Sequence, residues 1–400
     1  MLEQQAEPPD AGISRFVGDV RGSLDELRHA LQALIAATPG ETRRAADLQR
    51  SLRLDAALAW QVHTLATAQN SFEGARLVPK AGSMERLLRC ARESGVPQAV
   101  IADIERAYAA FGATVNAHAG DRDVFDAMLA GLHPADGASV QRLRRAAFKA
   151  NAAVWGLMCR CSVHAVIFYQ RPTGEHDCLS IRGRIGLKRL RASALVSLYA
   201  SSRTWGGPAC PPEGTAMVST DSCEILADYT SSGPMRVRSV AAPDGTRRDF
   251  LELEGVGAES EATVWWRTLA QDFPGGTTRP PHGTTAPCLE PAEVMYVDLL
   301  TPKGWAGPAA ARAWMTPESA RFATVGPDHA AHTLPFEGAA VHLGSSPRAL
   351  YTTHAPEYAG LVEAQLAELA WPREGFDIFR CEVKFPALFS AVHLGVGGPG

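Results

Sequence analysis

The chain has 400 residues, 46% hydrophobic, 20% charged and 7% aromatic. This is the composition of a globular protein long enough for two or three domains, and it excludes long disordered tails, fibrous repeats and collagen. Lys and Arg number 39 against 43 Asp and Glu, a net charge of −4, without the basic excess of a nucleic-acid coat. No stretch of continuous apolar residues is long enough for a membrane span, and residues 1–10 lack a basic or apolar leader. A cytoplasmic protein with no membrane partner is expected.

Residues 13–155 place apolar side chains at three- and four-residue steps, with hardly any alternating segment. That periodicity predicts an all-α domain over residues 1–155. The first helix has a capping-box pattern at Ser23-Leu24-Asp25-Glu26 and a stripe of Leu27, Leu31, Leu34 and Ile35, and it should stop near Pro39-Gly40. Short helices are expected over 43–52 and 55–68, joined by Arg53-Leu54. Further helices are expected over 84–94, 97–117, 121–132 and 140–155.

At Gly156 the pattern changes to β-branched and alternating runs between Gly and Pro punctuation, which predicts a second domain over residues 156–400. Its clearest element is a hairpin in which 235–240 and 250–253 flank Pro243-Asp244-Gly245-Thr246, with Asp-Gly supplying the positive φ of the turn. Other strands are expected over 162–169, 194–199, 223–226, 263–266, 294–299, 339–343, 378–385 and 390–396. One helix should start at Thr316-Pro317-Glu318 and another run over 356–371. Strands outnumber helices and come in runs, so the fold class is α+β: an all-α N-terminal domain, then an antiparallel or mixed sheet with a few helices. The densest positive run, Arg182, Arg184, Lys188, Arg189 and Arg191, reads as a solvated strand edge or loop.

Within the first domain, residues 45–62 put Leu48, Leu52 and Leu54 at the apolar positions of two short helices and their turn. Asp55 stands at the N-cap of the second helix, and Ala59 and Val62 face the first. This segment resembles the helix-turn-helix of bacterial transcriptional regulators, over about twenty residues, because a three- or four-residue turn buries a shared face only at such spacings. Arg53 stands where the turn usually has glycine, so its backbone must be strained or the turn different. The resemblance implies a regulatory protein whose helical domain binds DNA or a protein partner, with the second domain sensing a small ligand or mediating association. Residues 55–68 contain no Lys or Arg, so phosphate anchoring falls to Arg43, Arg44, Arg50 and Arg53, with Gln61 and Thr64 toward base edges. The same helices also suit plain packing or partner docking.

Other chemistry is thinly marked. Gly395 to Gly400 matches G-x-G-x-x-G at the end of the given sequence, with no helix after it to receive a pyrophosphate, and reads as a flexible tail. No G-x-S-x-G or P-loop occurs, and Ser345 with His354 or His393 is the nearest substitute for a nucleophile and base. The eight cysteines lack the spacing of a disulfide framework and read as reduced, buried thiols. Cys159, Cys161 and His164, with His176 and Cys178, form the best metal constellation, and His329 and His332 a second pair, yet none has zinc-site spacing. No catalytic, metal or cofactor set is expected. Two alternatives stay open: an enzyme, a hydrolase or metal-dependent, with its site in the second domain, and a non-catalytic interaction protein. Phe168, Tyr169, Tyr199, Trp205, Tyr229, Trp265, Trp266 and Tyr296 crowd into that domain, as core or as the lining of a ligand pocket.

Overall fold

A computed structural model of the chain describes residues 11–40, 43–69, 71–132, 137–192, 194–198, 202–205, 217–218, 224–231, 235–241, 247–270, 283–305, 311–318 and 333–396. The chain divides into two compact units at Ala135/Asp136, and the fold is α+β, as the sequence pattern predicts. Among the described residues no helix is long and apolar enough to cross a membrane.

The first unit is helical: α1 (Ala11–Ala37), α2 (Ala45–Leu52), α3 (Ala56–Thr67), α4 (Ser71–Gly74), α5 (Ala81–Glu93), α6 (Gln98–His118) and α7 (Arg122–Leu132). One core gathers Leu24, Leu31 and Leu34 of α1 with Leu48, Leu58, Val62, Leu87, Ile104 and Phe111 of its neighbours. The capping-box pattern at Ser23 does not mark the start of α1, which begins before it. Ser23 lies buried in mid-helix with its hydroxyl donating to the carbonyl of Val20 at 3.1 Å, so the capping pattern is satisfied by back-bonding inside a longer helix.

The second unit opens with α8 (Gly137–Trp155), twenty residues before the change of pattern at Gly156. Its periodicity is helical like the first unit's, yet Phe148 packs on Phe385 and Arg144 donates to the carbonyl of Pro335, so it belongs with the sheets. Gly156, at φ 69°, turns the chain from α8 into the first strand, where a left-handed residue favours glycine. The strands are β1 (Leu157–Gln170), β2 (His176–Arg189), β3 (Val196–Leu198), β4 (Ser202–Trp205), β5 (Met217–Val218), β6 (Glu224–Ile225), β7 (Met235–Ala241) and β8 (Arg247–Leu253). There follow β9 (Ala262–Ala270), β10 (Gly283–Pro287), β11 (Ala292–Pro302), β12 (Ala311–Pro317), β13 (Ala340–Gly344), the helix α9 (Tyr358–Glu368), β14 (Phe376–Lys384) and β15 (Ser390–Val396).

The main sheet has the order β13-β14-β11-β1-β2-β9-β6. Only its central seam, β1 with β11, is parallel among the described pairings. Helix α9 covers one face, burying Leu361, Val362 and Leu366 against Val163, Ile181 and Tyr296. The five-stranded sheet β12-β15-β10-β4-β5 packs on the other through Met315, Val392 and Leu394 against Val166, Val297 and Phe379. The expected hairpin forms as β7 with β8, joined to β3 in a third sheet, and its turn residues 243–246 lie outside the described ones. Three sequence expectations change here. Thr316 and Pro317 end strand β12 and helical backbone begins only at Glu318, since a Thr-Pro step is as compatible with extended backbone as with a helix start; the rest of the expected helix lies outside the described residues. Gly395 and Val396 finish β15 by pairing with β10 and β12, so that part of the glycine run is strand. Of the basic run, read as a solvated strand edge or loop, Arg182, Arg184, Lys188 and Arg189 lie in β2 between β1 and β9, with Arg182 and Arg184 buried, while Arg191 is exposed beyond its end.

Candidate functional site

The corner between α2 and α3 is built by its apolar residues. Leu48, Leu52, Leu54, Leu58, Ala59 and Val62 are buried together, which fixes the angle between two helices too short to be stable alone. The turn is made by Arg53 at φ 54° and ψ 38°, a left-handed residue where glycine is usual, and the amide of Leu54 donates back to the carbonyl of Gln49 at 3.1 Å. Asp55 then caps α3, its carboxylate accepting the Leu58 amide at 2.8 Å and pairing with Arg86 at 2.9 Å. The amide hydrogen bond first, and Arg86 after it, hold that carboxyl below its ordinary range. The far end of α3 is anchored by α1: Gln32 and Arg28 donate to the carbonyls of Ala66 and Ala68 at 2.8 and 3.1 Å.

The six residues expected to contact DNA all lie at this corner. Arg43, Arg44, Arg50 and Arg53 are exposed, while Gln61 and Thr64 are half-buried and reach the surface. Nε2 of His63 donates to the carbonyl of Arg43 at 3.3 Å, which brings the Arg43-Arg44 pair beside the middle of α3. Arg50 is held by Asp47 one turn back, at 2.5 Å.

Two features escape a reading by spacing alone. Trp60 is 53% exposed on α3, beside Ala59, which points inward. The charge is also segregated: residues 43–92 hold nine Lys and Arg against four Asp and Glu, residues 1–42 three against seven, and residues 93–135 two against six. A count over the whole first domain averages this away, whereas a count by helix pair would have found it.

The second unit carries its polar chemistry inside. Arg184 pairs with Glu290 at 2.9 Å, both buried, with its guanidinium over the Trp266 ring at 5.3 Å. Nε of Arg182 donates to Nδ1 of His164 at 3.3 Å, and Nε2 of His164 meets the Thr284 hydroxyl at 3.2 Å. Burial, reinforced by the two arginines, holds His164 far below its usual pKa. It is neutral, accepting at Nδ1 and donating at Nε2. On the α9 side Asp298 pairs with Arg380 and accepts from the Tyr358 hydroxyl. Nearby the hydroxyl of Tyr296 lies 2.9 Å from Nδ1 of His354.

The cysteine and histidine constellation does not converge. Cys161, Cys178 and Cys159 sit in three separate apolar clusters, and burial pushes the thiols of Cys159 and Cys178 up to about 12, which makes them inert at neutral pH. His176 packs on Trp305 at 5.0 Å. Among the described residues no group of three or more His, Cys, Asp and Glu is placed to hold a metal, and His329 and His332 lie outside them. The histidines considered with Ser345 are engaged elsewhere: Nδ1 of His354 by the Tyr296 hydroxyl at 2.9 Å, and His393 by Thr285 and Thr316 at 3.1 and 2.8 Å.

No family model matches the chain, and no curated protein matches it. Among solved structures it is similar to a candidate protease from Parabacteroides distasonis, with 11% identity, 60% of this chain covered and a TM-score of 0.25. It is also similar to an M1 zinc metallopeptidase from Deinococcus radiodurans, with 12% identity, 60% covered and a TM-score of 0.24. The matches span 40% and 42% of those two chains. At such scores neither assigns a fold or an activity.

Proposed function

We propose that this is a cytoplasmic regulatory protein whose helical unit docks on double-stranded DNA through the α2–α3 corner, with the second unit sensing a ligand or mediating association. One observation carries the reading: a capped, sharply turned helix pair presents Arg43, Arg44, Arg50 and Arg53 outward, within the one segment of the first unit that has a positive balance. The guanidinium groups at both ends of α2 anchor phosphates. Helix α3, which has no cation of its own, then brings Trp60, Gln61 and Thr64 to the groove with little desolvation of charge.

Retention of duplex DNA in a gel, measured at low and high salt, tests this. Four phosphate contacts predict that affinity falls by about two orders of magnitude between about 50 and 200 mM salt. Absence of retention at low salt, or retention indifferent to salt, rejects the reading.

A further inference from the structure

At the end of the second unit's main sheet a cavity of about 290 Å³ opens between the β1–β2 turn, the end of β9 and the C-terminus of α9. Its aromatic wall is Tyr169 and Trp371, stacked on each other with centroids 4.8 Å apart and planes 20° from parallel. Leu269 and Leu369 complete the apolar lining, and Arg171 with Asp177 supplies the polar side.

Three features give this cavity one electrostatic sign. The guanidinium of Arg171 is shared by two carboxylates: Nε and Nη2 donate to Asp177 at 3.1 and 2.9 Å, and Nη1 pairs with Glu175 at 3.1 Å. Arg171 and Asp177, which line the cavity, balance each other, and Glu175 just outside the lining adds one negative charge. Helix α9 points its C-terminus here, closing with the Ala370 amide on the carbonyl of Ala367 and the Trp371 amide on that of Leu366, and a helix C-terminus carries partial negative charge. The ring faces left free by the Tyr169–Trp371 stack attract cations as well. Ala370, at φ 55°, takes the left-handed position where such helix ends favour glycine, and it also lines the cavity.

We propose that this cavity binds a small organic cation, an amine or quaternary ammonium on an apolar body of about one ring. The volume lies at the small end of ligand sites, and the aromatic and aliphatic walls suit the body while Asp177, the helix end and the rings suit the charge. The assignment gives the ligand-sensing role of the second unit a chemical class, and depends on the proposed function only for its regulatory meaning.

Calorimetric titration of the full chain, without DNA, with 2-phenylethylamine, 2-phenylethanol and phenylacetate varies the charge on one ring. The amine should bind about tenfold or more tightly than the alcohol, with phenylacetate weakest. Asp177→Asn should lower amine affinity about tenfold and leave the alcohol unchanged. Equal affinities, a preference for the anion, or no heat with the amine overturns the proposal. The three ligands on the unaltered chain decide it even if the variant does not fold. Because DNA is absent, failure here leaves the DNA reading standing, and failure of DNA retention leaves this site standing.

Discussion

Asp298 and Arg380 face each other as direct partners across β11 and β14, and the guanidinium grips both carboxylate oxygens at 2.8 and 2.9 Å. Asp298 is fully buried and also accepts the Tyr358 hydroxyl of α9 at 2.8 Å, so one carboxylate ties two strands and a helix together. Removing it strands a buried cation, whose uncompensated charge outweighs any gain in packing. Asp298→Ala should destabilise the second unit by about 3–5 kcal/mol, read as a shift of the urea unfolding midpoint. A change below about 1 kcal/mol would show that the pair is dispensable.

Acid should weaken the protein before its carboxylates titrate. Burial lowers the pKa of His393 from 6.5 to about 4 and moves His164 in the same direction. Above pH about 6.5 both states are neutral and nothing changes. Below it the unfolded chain takes up protons that the folded chain refuses, so stability falls with pH by about 1.4 kcal/mol per pH unit for each histidine. For His393 the loss levels off below its folded value. Unfolding midpoints measured from pH 7 to 5 should show this slope, reduced by one histidine's share in His393→Asn. A flat profile would contradict the neutral assignment.

Arg53 separates folding from binding. In the left-handed turn its side chain strains the backbone, so Arg53→Gly should raise stability by about 0.5–1 kcal/mol. The same change removes one phosphate anchor and should lessen the salt dependence of DNA retention by about one unit of slope. If stability rises while DNA retention stays as it was, Arg53 serves the turn alone.

Arg43→Ala with Arg44→Ala should weaken retention of unrelated DNA sequences equally and reduce the salt slope by about two. Gln61→Ala or Thr64→Ala should instead change the preference among sequences, read by competition. Retention unaffected by the double arginine change would move the interface away from this corner.

Helix periodicity marks the helices of the first unit because their side chains meet one core at 3.6-residue steps, though not where the unit ends, and the buried set at the corner follows from the spacing of Leu48, Leu52, Leu54, Ala59 and Val62. Strand β2 was illegible for the opposite reason. Its charges look solvated in sequence, whereas in the fold Glu290 reaches Arg184 from a distant segment and His164 meets Arg182 from the neighbouring strand. Helix α8 shows a related blindness: amphipathic spacing identifies a helix but not the core that it joins. The cavity beside Trp371 combines three segments remote in sequence, so no local pattern announces it.

The parallel seam has a bearing on how the chain is made. Cys159 of β1 finds its partner Ala292 only after every strand from β2 to β10 has left the ribosome. Until then one edge of the central strand is bare and liable to stick to other nascent chains. The helical unit needs only residues up to 135, its main long-range packing being that of α1 on α6, and can mature long before that loop closes. The two halves of the molecule therefore come of age at different times during synthesis.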